Sequence, residues 1–171
     1  MKSIILASKS KVRKKILDEN EIECKVFPPI IDEESVKKSL LQTNANPEII
    51  SKNLAELKAN KISLKFNNEI VLGADSVIDI NKELVSKPKN REDALEILKK
   101  LNGKTHYLIS SVCISKNGSM TWNYTDKAAL TMKDLSVKEL KYSLILLIGR
   151  PIMVFSSPFT FENNDLPSPS I

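Results

Sequence analysis

Ile70-Val71-Leu72-Gly73-Ala74-Asp75-Ser76-Val77-Ile78 is the stretch on which the fold turns. It is short, β-branched and bounded by polar residues, which predicts a buried strand whose end presents Asp75. A second strand is expected to follow through Val77 to Ile80 and to turn at Asn81-Lys82. A carboxylate in apolar company rarely lacks a partner or a task. Gly73 removes a side chain just before it, so that a ligand or another backbone can come close. The ordinary alternative is a strand followed by an Asp turn.

On the amino-terminal side, Ser3 to Ala7 reads as a buried strand, and Ser8-Lys9-Ser10 turns it into a helix from Lys11 to Glu19. Ser10 is its expected N-cap, with Val12, Ile16 and Leu17 as the apolar face. A strand running straight into a helix start presents free N–H groups and the positive end of a dipole, which is an anion site ringed here by Ser8, Ser10, Lys11 and Arg13. A solvated basic face is the plainer reading of the same residues. Glu21 to Phe27 alternates as a second strand, stopped by Pro28-Pro29. The acids Asp32, Glu33 and Glu34 open a helical segment to Leu41, either as dipole complements or with one of them reaching a metal. Asn46-Pro47 starts the longest helix, carrying Ile49, Ile50, Leu54, Leu57 and Ile62 at helical spacing. Lys52, Lys58 and Lys61 lie along it, and lysines so placed are ordinarily solvated.

On the carboxyl-terminal side, Asn90 caps a helix through Lys100 whose core face is Ala94, Leu95, Ile97, Leu98 and Leu101, closed by a left-handed Asn102-Gly103 cap. Lys104 to Ser115 and Met120 to Met132 are strands around the hairpin signal Asn117-Gly118. His106 sits among apolar neighbours and is expected to be packed or hydrogen-bonded rather than catalytic. Ser136-Val137-Lys138-Glu139 is a capping box for a further helix carrying Leu140 and Leu144. After Gly149 the periodicity ends. Residues 1–149 are therefore expected to form the working domain, with 150–171 a Pro/Ser-rich arm, loosely packed or disordered. Alternating strands and helices followed by a hairpin predict an α/β domain with a mixed sheet, and place Ser8 and Asp75 at carboxyl ends of strands.

Composition narrows the function. The 171 residues are 42% apolar, enough for one domain with a core. No apolar run approaches the roughly 20 residues of a membrane span, and no signal peptide is apparent, so no membrane association and a cytoplasmic location are expected. Cys24 and Cys113 stand apart without metal-ligand spacing and read as reduced thiols. The net charge of +5 is concentrated: residues 1–17 carry six cations and no acid, leaving −1 on the other 154. Such a patch suits a polyphosphate at least as well as a duplex. Aromatics at 5%, with none interleaved among the early basic residues, argue against a nucleic-acid partner.

These pieces converge on phosphate chemistry. A triphosphate needs cations against its charge, carboxylates to hold Mg²⁺ and a base to prepare water. The basic turn, the acids at 32–34, Asp75, and the lysines at 58 and 87 supply them, while no Walker A or GxGxxG motif is present. The same residues resemble the Maf family. Leu6-Ala7-Ser8-Lys9-Ser10-Lys11-Val12-Arg13-Lys14-Lys15-Ile16-Leu17 is similar to its opening LASxSPRRxxLL, Asp32-Glu33 to its acidic pair, and Leu54-Ala55-Glu56-Leu57-Lys58-Ala59 to LAxxKA. Gly73 to Val77 is similar to GADTV, Lys87-Pro88 to the following KP, and Leu101 to His106 to LSGKxH. The ordered series covers residues 3 to about 140.

The resemblance implies a Maf/ITPase-like α/β fold, with a mixed twisted sheet, flanking helices and two lobes around a cleft. It implies hydrolysis of a nucleoside triphosphate to the monophosphate and pyrophosphate, on non-standard or surplus nucleotides. Asp75 would be the base that activates water. Glu33 and Asp75 would hold Mg²⁺ or another divalent cation. Ser8, Ser10, Arg13, Glu33, Lys58 and Lys87 would bind substrate, and Val12 and Ser76 would help choose the base. The family often forms dimers, so a homodimer is the assembly to test. Two departures stand out. Lys11 and Val12 replace a proline and an arginine, and Ser76 replaces a common threonine, so a pyrimidine-specific pattern is not supported. Beyond about Lys141 the family's tyrosine, AGxY segment, glutamine and GLP stretch are not seen, as a shifted reading frame or replaced terminus would produce. That change predicts a destabilised product of low activity and makes a catalytically impaired nucleotide-binding protein the alternative.

Overall fold

The computed structural model describes residues 4–149 and 159–161, so the expected arm at 150–171 lies almost wholly outside the described residues. Its strands are β1 (Ile4–Ala7), β2 (Cys24–Val26), β3 (Val71–Ile80), β4 (Glu83–Val85), β5 (Thr105–Lys116), β6 (Ser119–Met132) and β7 (Phe159–Phe161). Its helices are α1 (Lys11–Glu19), α2 (Glu33–Gln42), α3 (Pro47–Ser63), α4 (Arg91–Leu101) and α5 (Val137–Gly149). The sheet is mixed: β1 pairs in parallel with β2 and β3, while β3/β4 and β6/β7 are antiparallel. The order is β2-β1-β3-β5-β6-β7, with β4 against β3.

The chain divides into two compact units, residues 1–77 with 109–127 and residues 78–108 with 128–171. In the first, β1 lies between β2 and β3, and α3 supplies the helical wall. Ile5, Ala7, Ile62 and Val71 form one cluster, joined by half-buried Phe66. Ala55, Ala59 and Cys113 form another. Asn46 caps α3 with Oδ1 accepting from Ile49 N at 2.9 Å, and Pro47 occupies the first turn, where a missing N–H costs nothing. Gly73 is required where α3 crosses β3: a Cβ there would meet Ala55 O at 2.3 Å and Ala59 N at 2.7 Å.

The second unit is built on apolar packing. Ile80, Leu101, Met132 and Leu140 are buried together, with Ile78, Val85, Leu95, Ile97, Leu98 and Leu135 around them. Asn81 and Lys82 both take positive φ, 53° and 67°, making the tight turn that brings β4 back onto β3. The capping box forms as expected, with Glu139 Oε2 accepting from Ser136 N at 2.8 Å. His106 is buried, and burial pulls its pKa below the ordinary value.

Four expectations are corrected. Residues 71–80 form one strand, with no break at Val77, because Ile78 and Ile80 pack into the second apolar cluster and the chain goes on pairing there with β4. Asp75 therefore lies within β3, not at its end. It still emerges past a strand end, because β1 pairs only as far as Ala7 with Gly73. β2 is shorter than the alternation at 21–27 suggested, since only Cys24–Val26 pairs with β1. The apolar stripe of α1 is not a core face: α1 lies along β2 with no buried residue, and Val12 and Ile16 are each about half exposed.

Candidate active site

The first unit holds eight of the nine residues singled out, all but Lys87. β1 ends at Ala7, and Ser8 follows it into the turn, where its Oγ accepts from Ser10 N at 3.2 Å. Ser10 caps α1 as expected, its Oγ accepting from Arg13 N at 3.3 Å. That cap fixes the first turn and aims Arg13 back at β3. Its guanidinium donates to Ala74 O at 2.9 Å, to Ser8 Oγ at 3.1 Å and to Ser76 Oγ at 3.3 Å. Burial lowers the Arg13 pKa from its ordinary value, opposed by the charges of Asp75 and Glu33. The group nonetheless remains a cation, as arginine does in proteins. A cavity of about 270 Å³ beside the turn is lined by Lys9, Lys11, Lys14 and Lys15 with Ser10, so the basic patch is a surface feature of α1.

The three acids at 32–34 have three separate fates. Asp32 is the N-cap of α2, accepting from Ser35 N at 3.1 Å and Ser35 Oγ at 2.7 Å, bonds that hold its pKa below the ordinary value. Glu34 pairs with Lys37 at 3.1 Å. Glu33, the first helical residue, reaches Lys58, with Oε1 2.9 Å from Nζ.

Lys58 overturns the solvated reading of the α3 lysines. Its side chain is only 9% exposed, as is that of Asp75, and Nζ lies 2.6 Å from Asp75 Oδ1. One ammonium thus bridges two carboxylates delivered by different elements. Lys52 is exposed, as expected of a helix-surface lysine, and Lys61 donates to Ile30 O.

Two residues escaped the sequence reading. Ser51, fully buried on α3, donates from Oγ to Asp75 O at 3.2 Å, so α3 holds both the backbone and the carboxylate of this residue. Its signal was the stripe Ser51, Ala55, Lys58, Ala59 and Ile62, at the spacing of one helix face. Ser110 on β5 sits 3.0 Å from Ser76 Oγ and extends the hydrogen-bonded chain from Arg13. The specificity candidate Val12 is exposed on α1 and Ser76 is exposed on β3. Lys87 belongs to the second unit, where it is exposed between β4 and α4, and its role rests on the resemblance.

The donor set suits a hard divalent cation. Two carboxylates meet at one cationic nitrogen, and Mg²⁺ characteristically takes one or two carboxylates with the rest of its shell from water and substrate phosphate. No cluster of three or more His, Cys, Asp or Glu side chains occurs among the described residues. Cys24 and Cys113 are free and buried, as expected.

The nucleoside triphosphate pyrophosphatase of Pelagibacter ubique (strain HTCC1062) is 68% identical over 156 residues, covering 91% of this chain and 80% of that protein. The dTTP/UTP pyrophosphatase of Ruminiclostridium cellulolyticum is 33% identical over 114 residues, 67% of this chain and 56% of that protein. A HAM1 protein from Coxiella burnetii has a TM-score of 0.49 at 17% identity over 75% of this chain and 71% of that one. The Maf-like protein family matches residues 3–145, most of the chain and every residue of the site, and the chain belongs to that family.

Proposed function

We propose that this protein is a nucleoside triphosphate pyrophosphatase, hydrolysing its substrate to the nucleoside monophosphate and pyrophosphate. The observation that carries this reading is the buried Asp75 carboxylate, held by Lys58 with Glu33 and set beside Arg13 in one unit. An attacking water gives its proton to Asp75 as its oxygen bonds to the α-phosphorus. The bond from that phosphorus to the α–β bridging oxygen breaks, and its electron pair leaves with pyrophosphate. One positioned base of this kind contributes typically about 10²–10⁴-fold.

The remaining residues bind and orient. Ser8 and Ser10 offer hydroxyls at the start of α1, where the helix dipole favours an anion. Arg13 supplies a planar fork suited to phosphate oxygens. Lys58 offers a mobile point charge, and Lys87 is assigned to substrate on the resemblance. Glu33 and Asp75 would hold Mg²⁺ or another divalent cation, which offsets phosphate charge and polarises the phosphorus. Val12 and Ser76 are the positions proposed to help select the base. The resemblance implies a role on non-standard or surplus nucleotides and a homodimer, and no described helix is long and apolar enough to cross a membrane.

The catalytically impaired alternative is not favoured. Relatives carry pyrophosphatase names, and the catalytic carboxylate with its buried counter-ion is intact. The test is a pyrophosphate-release screen over ribo- and deoxynucleoside triphosphates with and without Mg²⁺. Release of pyrophosphate and monophosphate in equal amounts is expected, and it should need the metal. Binding without release for every nucleotide would establish the alternative instead. Sedimentation of the same sample measures the oligomeric state.

A further inference from the structure

We propose that Lys58 is the resident counter-ion of the Glu33–Asp75 pair and keeps a divalent cation out until a substrate's phosphates draw its ammonium away. This rests on the triphosphate reading above and adds an order of events to it. The ammonium lies 2.9 Å from Glu33 Oε1 and 2.6 Å from Asp75 Oδ1, so it occupies the point toward which both carboxylates are directed. A divalent cation taking those two oxygens would lie against it, and two cations so close in a poorly solvated site repel strongly. Without substrate the protein should therefore be a poor metal binder despite having suitable ligands.

Only the side chain can yield. The backbone of α3 is pinned to β3, because Gly73 leaves no room between the strand and Ala55 and Ala59 and because Ser51 Oγ holds Asp75 O. A lysine suits this role better than an arginine, since its compact charge on a four-carbon stem can swing to a new partner without losing a two-pronged fit. A triphosphate offers acceptor oxygens for the ammonium and carries the metal in. Metal and nucleotide thus enter together, and each raises the affinity for the other.

The experiment is Mn²⁺ binding by the full chain without nucleotide, read from the electron paramagnetic resonance signal of free Mn²⁺. Lys58→Gln is expected to bind Mn²⁺ at least tenfold more tightly than the unmodified protein. Lys58→Arg should stay at or below the unmodified level, and the gain should vanish when Asp75→Asn is added to Lys58→Gln. Equal or weaker Mn²⁺ binding by folded Lys58→Gln overturns the proposal. Should that variant fail to fold, the unmodified protein decides. Mn²⁺ binding at least tenfold tighter with a non-hydrolysable triphosphate analogue, beyond chelation by the analogue itself, supports the proposal. Binding equally tight without nucleotide, and abolished by Asp75→Asn, overturns it. Pyrophosphate release from the same preparation separates the two readings: release with an unchanged Lys58→Gln affinity sinks the counter-ion role alone, and tighter Mn²⁺ binding without any release sinks the hydrolase reading alone.

Discussion

The two units differ in what they bury around their cores. The first buries Lys58 and Asp75 among small residues of α3 and β3, with Ser8 and Ser51 also out of solvent. The second surrounds Ile80, Leu101, Met132 and Leu140 with further aliphatic side chains, and buries Asp79 and His106 as well. Aliphatic packing stabilises in proportion to the area buried, whereas a buried ion pair does little better than break even against an apolar substitute. The chain thus keeps a buried ion pair inside the first unit at a cost in stability that the chemistry of the site explains, whereas the second is held mainly by aliphatic packing.

Substitutions should separate the two along that line. The largest effect is expected for Asp75→Asn, which should abolish pyrophosphate release, a fall of about 10²–10⁴-fold or more for loss of the base. The amide keeps the shape and an acceptor for Lys58, and Glu33 remains as counter-charge, so far-ultraviolet circular dichroism should be unchanged. Near-normal turnover in that variant would refute the assignment. Leu101→Ala, in the apolar cluster, should cost about 2–5 kcal/mol in denaturant unfolding while the folded fraction keeps its turnover. A matching loss in both measurements would show that the two regions are not separable. Gly73→Ala should fall between them, because its Cβ would press on the backbone of Ala55 and Ala59, two residues from Asp75. Overpacking of this kind costs about 1–3 kcal/mol, and here turnover should fall together with stability.

How much of this could be read from the chain alone depends on how local the cause is. Ser10, Asn46 and Asn90 announce helix starts because a cap is a contact across three residues, and all three accept the expected backbone hydrogen bond. Asn117-Gly118 makes its hairpin turn for the same reason, with both residues at positive φ. Helical spacing alone could not separate Lys58 from its solvated neighbours, because its partners Glu33 and Asp75 come from other elements and spacing cannot distinguish a lysine facing solvent from one facing a carboxylate. The α1 stripe differs in the opposite direction: the spacing is apolar, but the helix lies along the edge strand β2 and buries none of its residues. Asp75 was recognised and misplaced. An acid at a strand end and a second strand beyond it are the sequence expectation, but β3 runs unbroken through Asp75, whose charge Lys58 of α3 meets from the side. Asp32 and Glu33 could not be told apart by pattern, and one capping bond decides between them.

The smallest expected effect tests the apolar unit by pH. His106 is buried, and burial lowers its pKa from the ordinary 6.5, so the folded state favours the neutral ring more than the unfolded chain does. At pH values above the unfolded pKa both states hold the ring neutral, and the folded protein has its full stability from this residue. As pH falls below that value the unfolded chain takes up the proton first, so stability declines until the folded ring also titrates. The melting temperature should therefore drop as pH falls below about 6.5. His106→Gln, which cannot titrate, should flatten that part of the curve while leaving pyrophosphate release per folded molecule unchanged at neutral pH. An identical slope in both proteins would assign the decline to other groups. A loss of turnover with an unchanged slope would give His106 a part in the chemistry and end the division between a charged unit that reacts and an apolar unit that packs.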